Sequence, residues 1–216
     1  MATVIALVLL ALAVAEASLN LHDLALYQGL LSYQDPSRFI WSNTTAYLLR
    51  VSVLTDTVRE ELQLPCVRSR YWSNTTEKVE RSIEVYNKTE HSPSRSINIS
   101  LTVGSTERKN ILNVYPRGPD LSFMKNAVLG FDISSGLYNY TYLVLFSDTN
   151  CLILAETLKT ANAERPWLQC SMWLSEHRIK KPPRCCQFIF QLLCAYMDEG
   201  VQVFDNLCLE EPKKAS

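Results

Sequence analysis

The sequence predicts an all-β protein: an eight-stranded antiparallel up-and-down barrel with one helix ahead of the strands and one behind them, both packed outside. Three observations carry the prediction. Between Ala46 and about Trp173, short segments of alternating apolar and polar residues recur between polar turns, and a period of two marks a strand with one buried face. About eight such segments follow one another, and strands taken in sequence order suggest an up-and-down barrel. No Gly/Ser-rich or Pro-rich linker, internal repeat or long charge block interrupts residues 18–216, so one domain is expected there.

In chain order, the first element is a targeting segment. Val4 to Val14 is an unbroken apolar run, too short for the roughly 20 residues of a membrane-spanning helix. It is followed by Ala15-Glu16-Ala17, the small-x-small pattern of a signal-peptidase site. Residues 1–17 therefore read as a secretory signal, although no Lys or Arg precedes the run. The mature chain is then secreted and extracellular, with no membrane anchor. Leu21 to Leu31 has apolar residues at helical spacing. The strands follow at Tyr47–Val53, Cys66–Trp72, Val79–Tyr86, Ile97–Val103, Ile111–Tyr115, Leu137–Phe146, Cys151–Leu158 and Leu168–Ser175. Pro182-Pro183-Arg184 opens a second helix that runs to Met197. Its expected barrel-facing side is Phe188, Ile189, Leu192, Leu193 and Tyr196.

With 216 residues, 47% hydrophobic and 20% charged, the chain can bury an ordinary core, which excludes disorder. Lys plus Arg (21) nearly balances Asp plus Glu (22), so no basic field gathers phosphate, and no nucleic-acid partner is expected. Seven cysteines, without a Cys-x-x-Cys pair and with three dispersed histidines, point to disulfides rather than zinc. No metal or cofactor is expected. Five glycosylation sequons, at Asn43, Asn74, Asn87, Asn98 and Asn139, agree with secretion and place those side chains on the surface.

The sequons also set strand phase. A glycan on Asn98 points outward, which turns Ile97, Ile99, Leu101 and Val103 inward. The same argument at Asn139 puts Thr141, Leu143 and Leu145 outside and Tyr138, Tyr140, Tyr142, Val144 and Phe146 inside. Any one tyrosine is explained by core packing. Three in one row ask for hydrogen-bond partners that a polar or water-filled cavity supplies. An eight-stranded barrel can hold one small ligand, so binding is expected before chemistry. Trp173, on the strand face of Ser171, should reach the cavity from another wall.

The stretch Cys170-Ser171-Met172-Trp173-Leu174-Ser175-Glu176, followed by Pro182-Pro183-Arg184-Cys185-Cys186-Gln187-Phe188-Ile189-Phe190-Gln191-Leu192-Leu193-Cys194, resembles the tick salivary lipocalins of the histamine-binding protein family. Tyr47 to Val53 resembles that family's first strand and Pro65-Cys66-Val67 its first barrel cysteine. Phe146-Ser147-Asp148-Thr149-Asn150-Cys151 resembles its second cysteine turn, and Asn206-Leu207-Cys208-Leu209-Glu210 its terminal cysteine segment. A Gly-x-Trp near the first strand is absent. The resemblance implies a salivary barrel that sequesters a small host mediator such as histamine, serotonin or an eicosanoid, and a monomer is expected. It implies the disulfides Cys66–Cys208, Cys151–Cys186 and Cys170–Cys194, with Cys185 free. The candidate ligand-binding set is Tyr47, Tyr138, Tyr140, Tyr142, Phe146, Leu152, Ser171 and Trp173.

One departure bears on the ligand. The resemblance implies, for amine-binding members, an Asp directly after the cysteine matching Cys151 and a Glu two residues before the tryptophan matching Trp173. Here those positions hold Leu152 and Ser171. A buried cation without a counter-charge costs several kcal/mol, so a more apolar cavity is expected, suited to a lipid mediator or sterol. Glu156 and Asp132 are the first alternatives for an inward carboxylate. An enzyme is not expected: cysteines of a secreted chain are mostly bridged, and His91 and His177 sit in polar loop-like stretches, which weakens a pairing of His22, His91 or His177 with Cys185. The basic run His177-Arg178-Ile179-Lys180-Lys181 with Arg184, and the acidic pairs Glu60-Glu61, Asp198-Glu199 and Glu210-Glu211, read as solvated surface. The alternative function is a protein-binding immunomodulator, for example complement-directed, that uses the outer barrel surface; glycans at five sites would cover much of that surface.

Overall fold

A computed structural model describes residues 31–52, 64–88, 93–104, 109–117, 140–157, 168–194 and 200–209. The chain divides into two compact units, Met1–Ser32 and Tyr33–Ser216, and the second is the subject below. The expected signal segment, residues 21–30 of the expected first helix, and Tyr138, Asn139, Asp132, His22, His91 and Tyr196 lie outside the described residues.

Eight strands form the wall: β1 (Ala46–Val51), β2 (Cys66–Asn74), β3 (Val79–Tyr86), β4 (Arg95–Val103), β5 (Ile111–Arg117), β6 (Tyr140–Ser147), β7 (Cys151–Thr157) and β8 (Leu168–Ser175). From β2 to β8 each pairs antiparallel with the next, and β1 closes the ring by pairing with both β8 and β2. Closure leaves no long free edge. A two-residue strand, β9 (Val201–Gln202), adds to β1 at Arg50 and Val51. All eight expected strands are present, and those at Val79–Tyr86 and Leu168–Ser175 keep their expected bounds. On β4, Ile97, Ile99 and Leu101 are buried and Asn98 is exposed, as alternation requires.

Alternation fails as a guide at two expected inward residues. On β6, Tyr140, Tyr142 and Val144 join the core cluster, but the register against β7 shifts between Val144 and Phe146. That bulge inserts one residue and reverses the phase. Ser147, not Phe146, therefore pairs with Leu152, and the Phe146 ring stacks on Tyr33 at 6.4 Å. On β1, Ala46 and Leu48 take the core positions. Tyr47 is turned outward and buried against Phe204, with ring centroids 5.6 Å apart.

A one-turn helix that the pattern does not predict, α1 (Ser37–Ile40), precedes β1 and buries Phe39 and Ile40. The second helix, α2 (Arg184–Cys194), lies over β7 and β8, held by the disulfides Cys151–Cys186 and Cys170–Cys194. Its buried residues are Cys186 and Phe190, whereas Phe188 and Leu192 are 65% and 51% exposed, which corrects the expected packing face. The disulfide at Cys186 fixes the rotation: Phe188 lies roughly 200° round the helix from it.

The third disulfide, Cys66–Cys208, brings the tail across the outer face of β2 and β3, with Cα atoms 5.7 Å apart. The tail enters through Gly200 at φ 69°, where a Cβ would meet the Val51 carbonyl oxygen and the Phe190 ring at 3.0 and 3.1 Å, so glycine's freedom is used here. Under the tail, Tyr86 donates its hydroxyl proton to the Cys208 carbonyl at 2.8 Å, and burial holds this phenol well above the usual tyrosine range. Arg68 lies over the Tyr86 ring and pairs with Glu84 at 2.7 Å. No helix among the described residues is long and apolar enough to cross a membrane.

Candidate ligand-binding site

The inward positions of the strands converge on one cavity. Its apolar wall is built by Ile83 of β3, Ile99 and Leu101 of β4, Leu112 and Val114 of β5, Leu152 and Leu154 of β7, and Ala46 of β1. Tyr142 and Trp173 add aromatic surface, and α1 closes one side with Phe39 and Ile40. The volume open to the centre of a water-sized molecule is about 60 Å³, within about 580 Å³ of non-atom space counted out to the mouth.

Of the residues proposed from sequence, Tyr142, Leu152, Ser171 and Trp173 border this cavity. Tyr140 is buried in the surrounding core cluster without bordering it. Tyr47 and Phe146 lie on the outer face, and Tyr138 lies outside the described residues. Leu152 pairs with Trp173 and Leu154 with Ser171, so the two positions that depart from the amine-binding pattern share one patch of wall. The Trp173 indole donates its Nε1 proton to Ser171 Oγ at 3.1 Å. Ser171 thus satisfies a buried donor rather than supplying a charge.

Sequence reading missed Arg81. It borders the cavity from β3 and is 3% exposed. The signal was present, because Arg81 occupies the inward phase between Val79 and Ile83. All five guanidinium N–H groups are used. Nε donates to Ser69 Oγ at 3.1 Å; Nη1 donates to the carbonyls of Ile40 and Ser42 at 3.1 and 2.8 Å; Nη2 donates to those of Thr44 and Ser69 at 2.7 and 3.2 Å. The loop after α1 is thereby tied to β3. No carboxylate among the described residues pairs with Arg81, and burial pushes its pKa down to about 10, which still leaves it charged at neutral pH.

The polar lining is donor-rich. Ser69 Oγ already accepts from Arg81 and Ser171 Oγ from Trp173, so the remaining capacity of each hydroxyl includes its own proton. Among the described residues one group could suggest a metal site, Asp148 with Cys185 and Cys186. Cys186 is bridged to Cys151, and Asp148 Oδ1 accepts from the backbone N–H groups of Asn150 and Cys151, which accounts for both groups. Cys185 is exposed and free, and the His177 ring hydrogen-bonds Asn150 Oδ1 at 2.8 Å.

A family model described as tick histamine binding protein matches residues 27–210. Among solved structures, japanin from Rhipicephalus appendiculatus bound to cholesterol aligns with TM-score 0.53 at 20% identity, covering 78% of this chain and 97% of that one. The AM182 serotonin complex aligns with TM-score 0.46 at 15% identity, covering 83% and 93%. Lobster apocrustacyanin A1 aligns with TM-score 0.41 at 11% identity, covering 75% and 76%. A search of curated proteins finds no match. The japanin likeness is one of fold and agrees with the closed eight-stranded barrel described above. With the match spanning most of its length, the chain belongs to the tick histamine-binding protein family.

Proposed function

We propose that this protein is a secreted scavenger that holds one small, largely apolar molecule in its barrel and performs no chemistry on it. The observation that carries this reading is the cavity wall, which is aliphatic and aromatic except for Arg81, Ser69 and Ser171. Leu152 and Ser171 stand where amine-binding relatives would supply carboxylates. Histamine or serotonin would then bring an ammonium into a site with no described counter-charge, at a cost of several kcal/mol. A ligand of sterol or eicosanoid size exceeds the inner volume, so its entry needs wall side chains such as Trp173 and Phe39 to swing aside. Three disulfides suit an oxidising compartment, and the apolar segment ending in Ala15-Glu16-Ala17 supports secretion with cleavage near Ser18. The exposed side chains of Asn43, Asn74, Asn87 and Asn98 support glycosylation there.

Native mass spectrometry of the protein secreted from insect cells tests the reading. An added mass at one ligand per chain, extractable into organic solvent, is expected. A ligand-free protein whose Trp173 emission does not respond to any sterol or fatty-acid-derived mediator would overturn it. One observation favours a second reading: Phe188 and Leu192 form an exposed apolar row on α2 that an outer-surface protein partner could cover.

A further inference from the structure

We infer that the ligand of this cavity is a carboxylate-bearing amphiphile, its anionic head near Arg81 and its apolar tail against the aliphatic wall. The inference rests on the barrel being the ligand site and adds the chemistry of the head group.

Two independent features support it. The first is charge. Arg81 is the only charged side chain described on the cavity wall, and its hydrogen-bond partners are four backbone carbonyls and one hydroxyl, which solvate the guanidinium without neutralising it. The outer face of the same strand solves the problem differently: Glu80 and Glu84 each pair with two basic side chains. Arg81 is taken out of water when the chain folds, so its field acts on a ligand without a further desolvation cost to the protein. The second feature is hydrogen-bond polarity. Ser69 and Ser171 already accept N–H protons and retain their own O–H protons to donate. An ammonium offers only donors: each hydroxyl keeps one lone pair for it, but it mismatches the charge and leaves the hydroxyl protons unused. A carboxylate offers only acceptors and matches both.

Arg81 keeps all its N–H groups on the protein, so it attracts the head group as a charge, and the hydroxyls supply the hydrogen bonds. At an effective dielectric near 20, a unit charge roughly 10 Å away favours an anion over a neutral head by about tenfold. The tail gives no such discrimination.

The test uses the full mature chain and three probes that share an eighteen-carbon tail: oleic acid, oleyl alcohol and oleylamine, titrated at neutral pH and followed by tryptophan emission. The expected order is oleate tightest, at least about tenfold tighter than the alcohol, with the amine weakest. In Arg81→Met, provided circular dichroism shows a folded barrel, the advantage of oleate over the alcohol should fall to within about twofold. Ser69→Ala leaves the charge in place, so it should weaken oleate while keeping it ahead of the alcohol. Equal binding of oleate and alcohol by the unmodified protein would overturn the charge inference and leave the barrel site standing. Tightest binding of the amine would also overturn it, and loss of that binding in Glu156→Gln would identify a carboxylate that reverses the sign of the site. Failure of all three probes to bind would count against the barrel as ligand site, and the inference would fall with it.

Discussion

The two faces of β3 handle charge in opposite ways. Outward, Glu84 sits under the tail between Arg68 at 2.7 Å and Arg70 at 3.3 Å, and accepts from Ser82 Oγ at 3.2 Å. Further along, Glu80 meets Lys78, Arg117 and Ser100 at 3.1, 2.8 and 2.7 Å. Both carboxylates face partners of opposite sign, Glu80 near solvent and Glu84 buried. Inward, Arg81 is held by the backbone carbonyls of Ile40, Ser42, Thr44 and Ser69, and no carboxylate among the described residues pairs with it. Side-chain pairing gives each buried or half-buried charge of the outer face a partner of opposite sign. Backbone solvation makes the inner face rigid but leaves it positive, which suits a ligand-specifying surface and would be wasteful in a plain core.

That contrast can be broken by substitution. Arg81→Met removes five hydrogen bonds and strands carbonyls of Ile40, Ser42, Thr44 and Ser69, so it should cost about 3–5 kcal/mol in urea unfolding. A loss under about 1 kcal/mol would mean that the clamp contributes little. Glu84→Gln leaves the largely buried Arg68 over Tyr86 without its closest anion and should cost about 1–3 kcal/mol. Glu80→Gln acts where Arg117 and Lys78 are largely solvated, so its cost should stay within about 1 kcal/mol and shrink as salt is added. If Glu80 proved costlier than Arg81, the difference between the faces would be inverted.

The barrel was legible because its strands alternate cleanly where one face is solvated. Asn98 between Ile97 and Ile99 leaves only one phase. The phase was not legible where both faces are apolar. Leu143-Val144-Leu145-Phe146 offers no polar residue to mark the bulge, and Tyr47 is buried on the outside because the distant tail covers it. The rotation of α2 was equally hidden, because apolar residues surround it and long-range disulfides choose the buried side. Half of the proposed site borders the cavity: Tyr142 and Trp173 follow from period two along β6 and β8, and Leu152 and Ser171 from the family resemblance. Arg81 stood in the same pattern as a lone charge on an apolar face, but its partners come from residues 40–44, and no local pattern announces them.

The central claim is that the described wall of the barrel cavity offers no counter-charge for an amine. Calorimetric titration of the purified mature protein with histamine addresses it directly. The account predicts no saturable heat up to millimolar histamine, and gain of binding by at least about tenfold when Leu152→Asp and Ser171→Glu are introduced together. Submicromolar histamine affinity in the unmodified protein would contradict it.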